Sequence, residues 1–294
     1  MDMSDLESII TSDTRTRGEL LAPYSRGGLS AAAEFSSSCT AASIVTGFMV
    51  PTKFGFAPEN DGPPGAAALT AFLSACGVQT RLITDGHNRK VCEAAIEPYR
   101  DLAANTAVVP RVIVVDEANP TESIAAAFPS DLLVYVERLG PNHDGRYLSM
   151  RGIDLTEVTL PLDGLLSKSV PSIGIGDGGN EIGMGSLPSA AVEQLPSGER
   201  IHCVARTDAL IVAGVSNWGA AALVAAVALR EPARAEAAIG ALSPERFRRC
   251  LERVADEGAV DGITGTAGFS VDGMDCEIHQ QVLAALSSAV EMVM

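Results

Sequence analysis

Basic residues are scarce in this chain. It carries 21 Lys and Arg against 37 Asp and Glu, a formal charge of -16 and a pI of about 4.6. Nucleic-acid binders neutralise phosphates with clustered Lys and Arg, so that class is excluded, as is docking to anionic membranes. Aromatics make up 4% of the residues, with a single Trp, so Ala, Val, Leu and Gly must build the core. No long hydrophobic run occurs. The longest, Trp218 to Leu229, has 12 residues, too few to cross a hydrocarbon core of about 30 Å. Cysteines stand at 39, 76, 92, 203, 250 and 276 without C-x-x-C spacing. They read as reduced core residues of a cytoplasmic protein. The acidic opening MDMSDLESIITSD has no apolar stretch of the kind a secretory signal needs, nor the basic character of a transit peptide. A G-x-S-x-G elbow, a Walker A loop and paired H-x-x-x-H histidines are also missing.

What is present is a 294-residue chain with 47% hydrophobic residues, enough to bury a full core. Short β-branched runs alternate with helix-like segments. Strands are expected at Ala42 to Thr46, Val78 to Thr84, Arg111 to Val115, Leu132 to Val136, Ser172 to Ile175, Ile201 to Ala205 and Ala209 to Ala213. Helices are expected at 64–76, 88–96, 121–127, 217–230, 244–257 and 275–293. The final helix is expected to bury Ile278, Val282, Leu286, Ala289 and Val293. This alternation predicts an α/β fold with three layers: a mostly parallel sheet with helices on both faces and a helical C-terminal third. Residues 1–294 read as one domain with a helical lead-in over 1–40, the only plausible boundary lying near 140–170.

In such a fold, ligands bind at the carboxyl ends of the strands. Polar, glycine-rich stretches sit there: Thr46-Gly47-Phe48 with Asp61-Gly62, the run GDGGNEIGMG at 176–185, and GVSNWG at 214–219. The middle run has five glycines in ten residues, far above the usual level of about 7%. Among them stand Asp177, Asn180 and Glu181, a carboxylate pair and a carboxamide suited to acid, base and oxyanion-donor roles. Capping a helix would need only one of the three. The spacing Gly174-x-Gly176-x-x-Gly179 fits a dinucleotide fingerprint, but Asp177 and Glu181 would repel a pyrophosphate and the opening βαβ context is missing. GDGGNE is also similar to the magnesium-binding motif of haloacid-dehalogenase-like phosphatases, whose D-x-D nucleophile has no counterpart after Ala42 to Thr46. Asp61 to Gly65 (DGPPG) reads equally as helix punctuation or ligand contact. Arg146 and Arg151 could fork onto a carboxylate or brace a loop, and Asn217 could cap its helix.

Taken together, TGF at 46–48, NDGPPGAAAL at 60–69, DGRYLSMRGID at 144–154, SIGIGDGGNEIGMG at 172–185, VAGVSNWGAAAL at 212–223 and VDGMDCEIHQQVL at 271–283 resemble the D-glutamate cyclase C-terminal family. The resemblance runs from about residue 40 to near the end of the chain. Vertebrate members of that family carry an additional N-terminal hydro-lyase-like domain with no counterpart in these 294 residues. The resemblance implies a hydro-lyase that converts D-glutamate to 5-oxo-D-proline and water.

That chemistry asks for a base to free the α-amine, an acid for the departing oxygen and donors for the oxyanion. Asp177 and Glu181 are the expected acid–base pair, with Asn180 and the loop amides on the oxyanion. Thr46, Gly47, Asp61, Gly62, Gly178, Gly179 and Asn217 are expected to line the substrate, and Arg146 or Arg151 to receive its α-carboxylate. No cofactor is required. A hard, oxygen-ligated cation such as Mg²⁺ or Ca²⁺ could sit on Asp177 and Glu181. The expected partner is a small amino acid, with no nucleic acid and no membrane, and a homo-oligomer is compatible with the sequence. Two rivals share these residues: a metal-dependent phosphate-ester hydrolase and a non-catalytic sensor of an amino acid or nucleotide.

Overall fold

A computed structural model describes residues 2–12, 17–104, 106, 108–115, 130–166 and 169–294; the helix expected at 121–127 lies outside them. Six parallel strands form the central sheet: β1 (Ala41–Thr46), β4 (Gln79–Thr84), β5 (Arg111–Val114), β6 (Leu132–Val136), β7 (Ser172–Gly176) and β8 (Ala209–Val212). The strands β2 (Met49–Thr52) and β3 (Gly55–Pro58) form a separate antiparallel hairpin. The sheet order is β5-β4-β1-β6-β7-β8. Numbered along the chain within the sheet, that is third, second, first, fourth, fifth, sixth, the doubly wound order. The winding reverses between β1 and β6, and a crevice opens there beyond the strands' carboxyl ends.

Alternation along the strands feeds both faces. Ile44, Leu82, Val134, Ile173, Ile175 and Ile211 pack on one side with the helices Pro63–Ala75, Ser216–Arg230 and Cys276–Glu291. On the opposite side, Leu210 and Val212 meet Leu21 and Ala191 of short helices and Leu195 of a bend. Val45, Ile83, Leu133 and Tyr135 meet Leu160, Leu162 and Leu165. The end of the stretch near 140–170 thus packs on the sheet, whereas Tyr147 and Leu155 pack with Phe48, Val50 and Val260. Among the described residues, Pro63–Ala75 and Ser216–Arg230 are the helices buried nearly end to end, and Ala-rich faces let them pack closely. Each fully buried Leu or Phe in them contributes about 1.5–3 kcal/mol.

Three local expectations need correction. Ile201 to Ala205 is not a strand: Gly198–Ile201 is a helical turn, and the amides of Cys203 and Val204 bond to the carbonyls of Gly179 and Pro141. Ile201 is buried but Val204 is 47% exposed, so the segment lacks the burial of a sheet strand. The hairpin β2–β3 lies where no strand was expected. Its Pro51 and Pro58 are tolerated because a two-stranded sheet leaves one side of each strand without a ladder. In the last helix the buried stripe is Cys276, His279, Leu283, Leu286, Ala289 and Val290, while Ile278 is exposed. The stripe is displaced because His279 faces inward, where its Nδ1 accepts from the Trp218 indole N–H at 2.9 Å.

Candidate active site

Two helices begin at the crevice and cap one another. In the Pro63–Ala75 helix the first two positions are prolines, which carry no N–H. Gly62 and Gly65 still need acceptors, and Asn217 Oδ1 takes both, at 3.1 and 2.7 Å. In return Asp61 caps the Ser216–Arg230 helix, accepting from the amides of Ser216 and Asn217 at 2.8 Å each. Gly62 has φ +98°, and a Cβ there would lie 2.7 Å from Glu137 Cβ and 2.9 Å from Thr46 Oγ1. Only glycine lets this loop close against β1 and β6.

Glu137 follows β6 directly, at the winding reversal. It is a non-glycine residue at φ +43°, a conformation that persists where the surroundings enforce it. Its amide donates to Ile175 O, and its Oε2 accepts the Ser216 hydroxyl. The next residue, Arg138, is fully buried on Asp85 at 2.6 Å and also donates to Gly47 O at 2.8 Å.

The loop after β7 is organised around Glu181. Its fully buried carboxylate accepts the amides of Asp177 at 3.0 Å, Gly178, and Gly179 at 2.7 Å. Both oxygens are thus engaged by backbone donors. Asn180 donates through Nδ2 to Leu148 O at 2.9 Å. Asp177 carries no such burden and faces the cleft.

The far wall is a loop near the C-terminus. Asp261 accepts the amides of Ile263, Thr264 and Gly273 at 2.8–2.9 Å, which fixes Asp272 at φ +53°. Glu59 enters from β3, its carboxylate lying where a Cβ on Gly262 would come within 1.7 Å. The resulting cleft is lined by Glu59, Glu137, Asp177, Asn180 and Asp272, with Ser149, Met150, Arg151, Phe48, Val50, Pro51 and Gly262 around them.

So many carboxyls in one crevice perturb each other. Burial, then the charges of Glu181, Asp61 and Glu59, hold Glu137 well above the ordinary carboxyl range. Asp177 is raised by burial and by Glu137, Asp272 and Glu181. Glu59 is raised by burial and by Asp272 and Asp61, and Asp61 by burial and Asp272 against its three backbone N–H bonds. Asp272 is pushed up to about 6 by burial, and its hydrogen bond with Asp177 limits the rise. Arg17 feels the charges of this loop. Burial lowers its pKa and the charges of Glu181 and Asp177 oppose the shift. It is held by Met150 O and Pro196 O at 3.0 and 3.2 Å.

The expected residues are therefore distributed unevenly. Asp177 and Asn180 line the cleft, and Arg151 stands at its rim with Nη2 on Ile263 O at 3.1 Å. Asp61, Gly62, Asn217, Thr46, Gly178 and Gly179 form the layer behind. Gly47 is braced by Arg138 one step further back. Arg146 is exposed and paired with Asp154 at 3.1 Å, so it does not join them. Glu59, Glu137, Asp272 and Arg17 were not anticipated. A charged residue just past an apolar strand (LLVYV, then Glu137) was the available signal for one of them. Two carboxylate trios bring oxygens within 4.8 Å of each other and could hold a cation: Asp61 with Asp177 and Asp272, and Glu137 with Asp177 and Glu181.

Residues 6–287 match the family described as D-glutamate cyclase-like, C-terminal. The chain belongs to the D-glutamate cyclase-like, C-terminal family. It is 34% identical over 244 residues to a human protein named "D-glutamate cyclase, mitochondrial", a match covering 76% of this chain and 38% of that relative. The chain thus spans well under half the length of that relative. The segments by which the sequence resembles the family map onto this crevice: NDGPPG and SNWG supply the reciprocal caps, GDGGNE the nest around Glu181, and VDG the turn at Asp272. Among the described residues, no helix is long and apolar enough to cross a membrane.

Proposed function

We propose that this protein cyclises D-glutamate to 5-oxo-D-proline with release of water. The observation that carries the reading is the convergence of Glu137, Asp177 and Asn180 in one cleft of a D-glutamate cyclase-like fold. The α-amine attacks the γ-carboxyl carbon, a C–N bond forms, and a C–O bond breaks. Starting from the ammonium and the ionised γ-carboxylate, the nitrogen loses two protons and the departing oxygen gains two. The reaction therefore needs a relay from nitrogen to oxygen, and no net acid or base.

Glu137 suits that relay. It stands at the mouth of the winding reversal, burial and the neighbouring carboxylates hold its carboxyl well above the ordinary range, and the Ser216 hydroxyl steadies one oxygen. Asn180, whose carboxamide is anchored on Leu148 O, supports the tetrahedral oxyanion. Glu181 sets the shape of the loop. Arg151 at the rim receives the substrate's α-carboxylate. Folding one molecule into a near-attack shape supplies much of the acceleration. The six cysteines are free thiols, five of them buried, which supports a cytoplasmic location.

The test is direct. D-glutamate incubated with the protein should yield 5-oxoproline, followed by proton NMR, with L-glutamate as the comparison. Glu137→Gln should lower turnover by about 10² or more while D-glutamate still binds by calorimetry. Unchanged turnover in that variant removes Glu137 from the relay, and wild-type protein that makes no 5-oxoproline overturns the reading.

A further inference from the structure

The rim of the cleft at 148–152 is fastened through alternate carbonyls. Asn180 donates to Leu148 O at 2.9 Å, Arg17 Nη2 to Met150 O at 3.0 Å and Arg200 Nη2 to Gly152 O at 3.2 Å. Arg151 thus stands between two carbonyls, each held by a guanidinium from a different part of the chain. The same Arg17 nitrogen reaches Pro196 O at 3.2 Å, which ties the rim to the stretch leading into the Gly198–Ile201 turn. The segment is also bonded within itself: Ser149 N donates to Ile153 O at 2.9 Å and Gly152 N to Ser149 O at 2.8 Å. Those bonds shape the turn, and the two arginines fix where it sits.

Three arginines therefore serve one short segment in a chain with only 21 Lys and Arg. A backbone carbonyl accepts from a guanidinium without cancelling its charge. Arg17 spends Nη2 on carbonyls, and its Nη1 is buried with no partner among the described residues. Arg151 likewise bonds a carbonyl, Ile263 O at 3.1 Å. Arg146 is the contrast, since its charge goes into an ion pair with Asp154 at 3.1 Å. Positive charge is kept available at the rim of a cleft lined with carboxyls, an arrangement that attracts an anion and holds its charged end at the entrance. We infer that Arg17 and Arg200 are positioning residues that set Arg151 to receive a carboxylate of the substrate. The inference rests on the cyclase reading for the identity of that substrate alone. Neither residue touches the reacting atoms, so losing either should weaken binding and spare the chemical step.

Arg17→Met keeps an aliphatic stem and removes the donors. With D-glutamate it should raise KM about tenfold and change kcat less than about twofold, the signature of binding lost equally in ground and transition states. Arg200 is exposed, so Arg200→Met makes the same comparison at a position whose change the fold withstands. Its KM should rise as well. In an Arg151→Met background, Arg17→Met should add less than about twofold, because a residue that acts through Arg151 has nothing left to place. Hydrogen exchange read by mass spectrometry needs no substrate: Arg17→Met should speed exchange of the 148–152 amides about tenfold relative to those of β7. Wild-type protein that makes no 5-oxoproline overturns the cyclase reading, and exchange then decides the placement of the rim by itself. Unchanged exchange at 148–152 in Arg17→Met overturns the inference. So does a wild-type KM in both single variants. The full effect of Arg17→Met persisting in the Arg151→Met background would show Arg17 acting on its own and overturn it too.

Discussion

Glu181 and Asp177 lie four residues apart in one glycine-rich loop and have different surroundings. Asp177 faces the cleft; Glu181 faces three backbone amides. A carboxylate can accept all three bonds, but a carboxamide in its place presents an N–H to another N–H. Glu181→Gln should therefore destabilise the protein by about 1–3 kcal/mol, the cost of buried donors left unsatisfied. Thermal melting would register this as a lowered Tm whether or not substrate is present. A variant with an unchanged Tm and reduced turnover would instead return Glu181 to the proton relay. His279 makes the same point about residue types. It reads as polar on a helix surface, yet it is fully buried with its ring nitrogen on the Trp218 indole, and burial lowers its pKa so that it stays neutral.

At the scale of elements, the mutual caps are the main device. Asn217 Oδ1 serves both available donors of the Pro63–Ala75 helix, so Asn217→Ala removes two bonds at once, leaving the buried Gly65 amide without an acceptor and the Gly62 amide with Asp61 Oδ1 alone. The expected loss is about 2 kcal/mol, the upper end for a cap, measured by chemical denaturation. An Asn217→Asp variant retains an acceptor and should recover part of it. Most of these elements were legible beforehand. β7 announces itself as SIGIG, and the prolines of DGPPG mark a helix start by chemistry that needs no partner. The caps' partners were not legible, because Asp61 and Asn217 are 156 residues apart and nothing in either segment names the other. Glu137 was missed for a related reason: VYVERLG reads as a strand running into surface charge, and a left-handed glutamate leaves no mark in a sequence. Asp272 lies in a D-G turn that looks like ordinary punctuation. Its importance comes from Asp261, which folds the turn towards the crevice.

For the whole molecule, the buried Asp85–Arg138 pair ties the rim of the sheet together and sets a response to acid. Burial raises the Asp85 carboxyl, but the Arg138 charge and the hydrogen bonds from Arg138 and Asn88 outweigh it and leave the pKa below the ordinary value. The native state therefore binds this proton less readily than the unfolded chain. The stabilisation is present above about pH 4, the unfolded Asp value, and is lost as pH falls through the native pKa. Asp85→Asn leaves Arg138 uncompensated and should cost about 3–5 kcal/mol at neutral pH. The difference in Tm between wild type and variant should be largest above pH 5 and shrink below pH 4, since acid neutralises Asp85 in the wild type as well. A difference that stays constant down to pH 2 would show that the pair carries no titrating stabilisation. The comparison isolates this pair because the acidic cleft titrates in both proteins.

The reciprocity of Asp61 and Asn217 also has a consequence for how the molecule comes into being. Neither helix can complete its first turn alone, since each borrows its terminal acceptor from the other. The chain must close a loop of some 150 residues before either cap exists, and that closure costs entropy that a local contact does not. The crevice thus requires the strands on both sides of the winding reversal to be in register. A half-folded chain would own the carboxylates but have no cleft to gather them. Their mutual repulsion is then felt only once the sheet and both helices are present to withstand it.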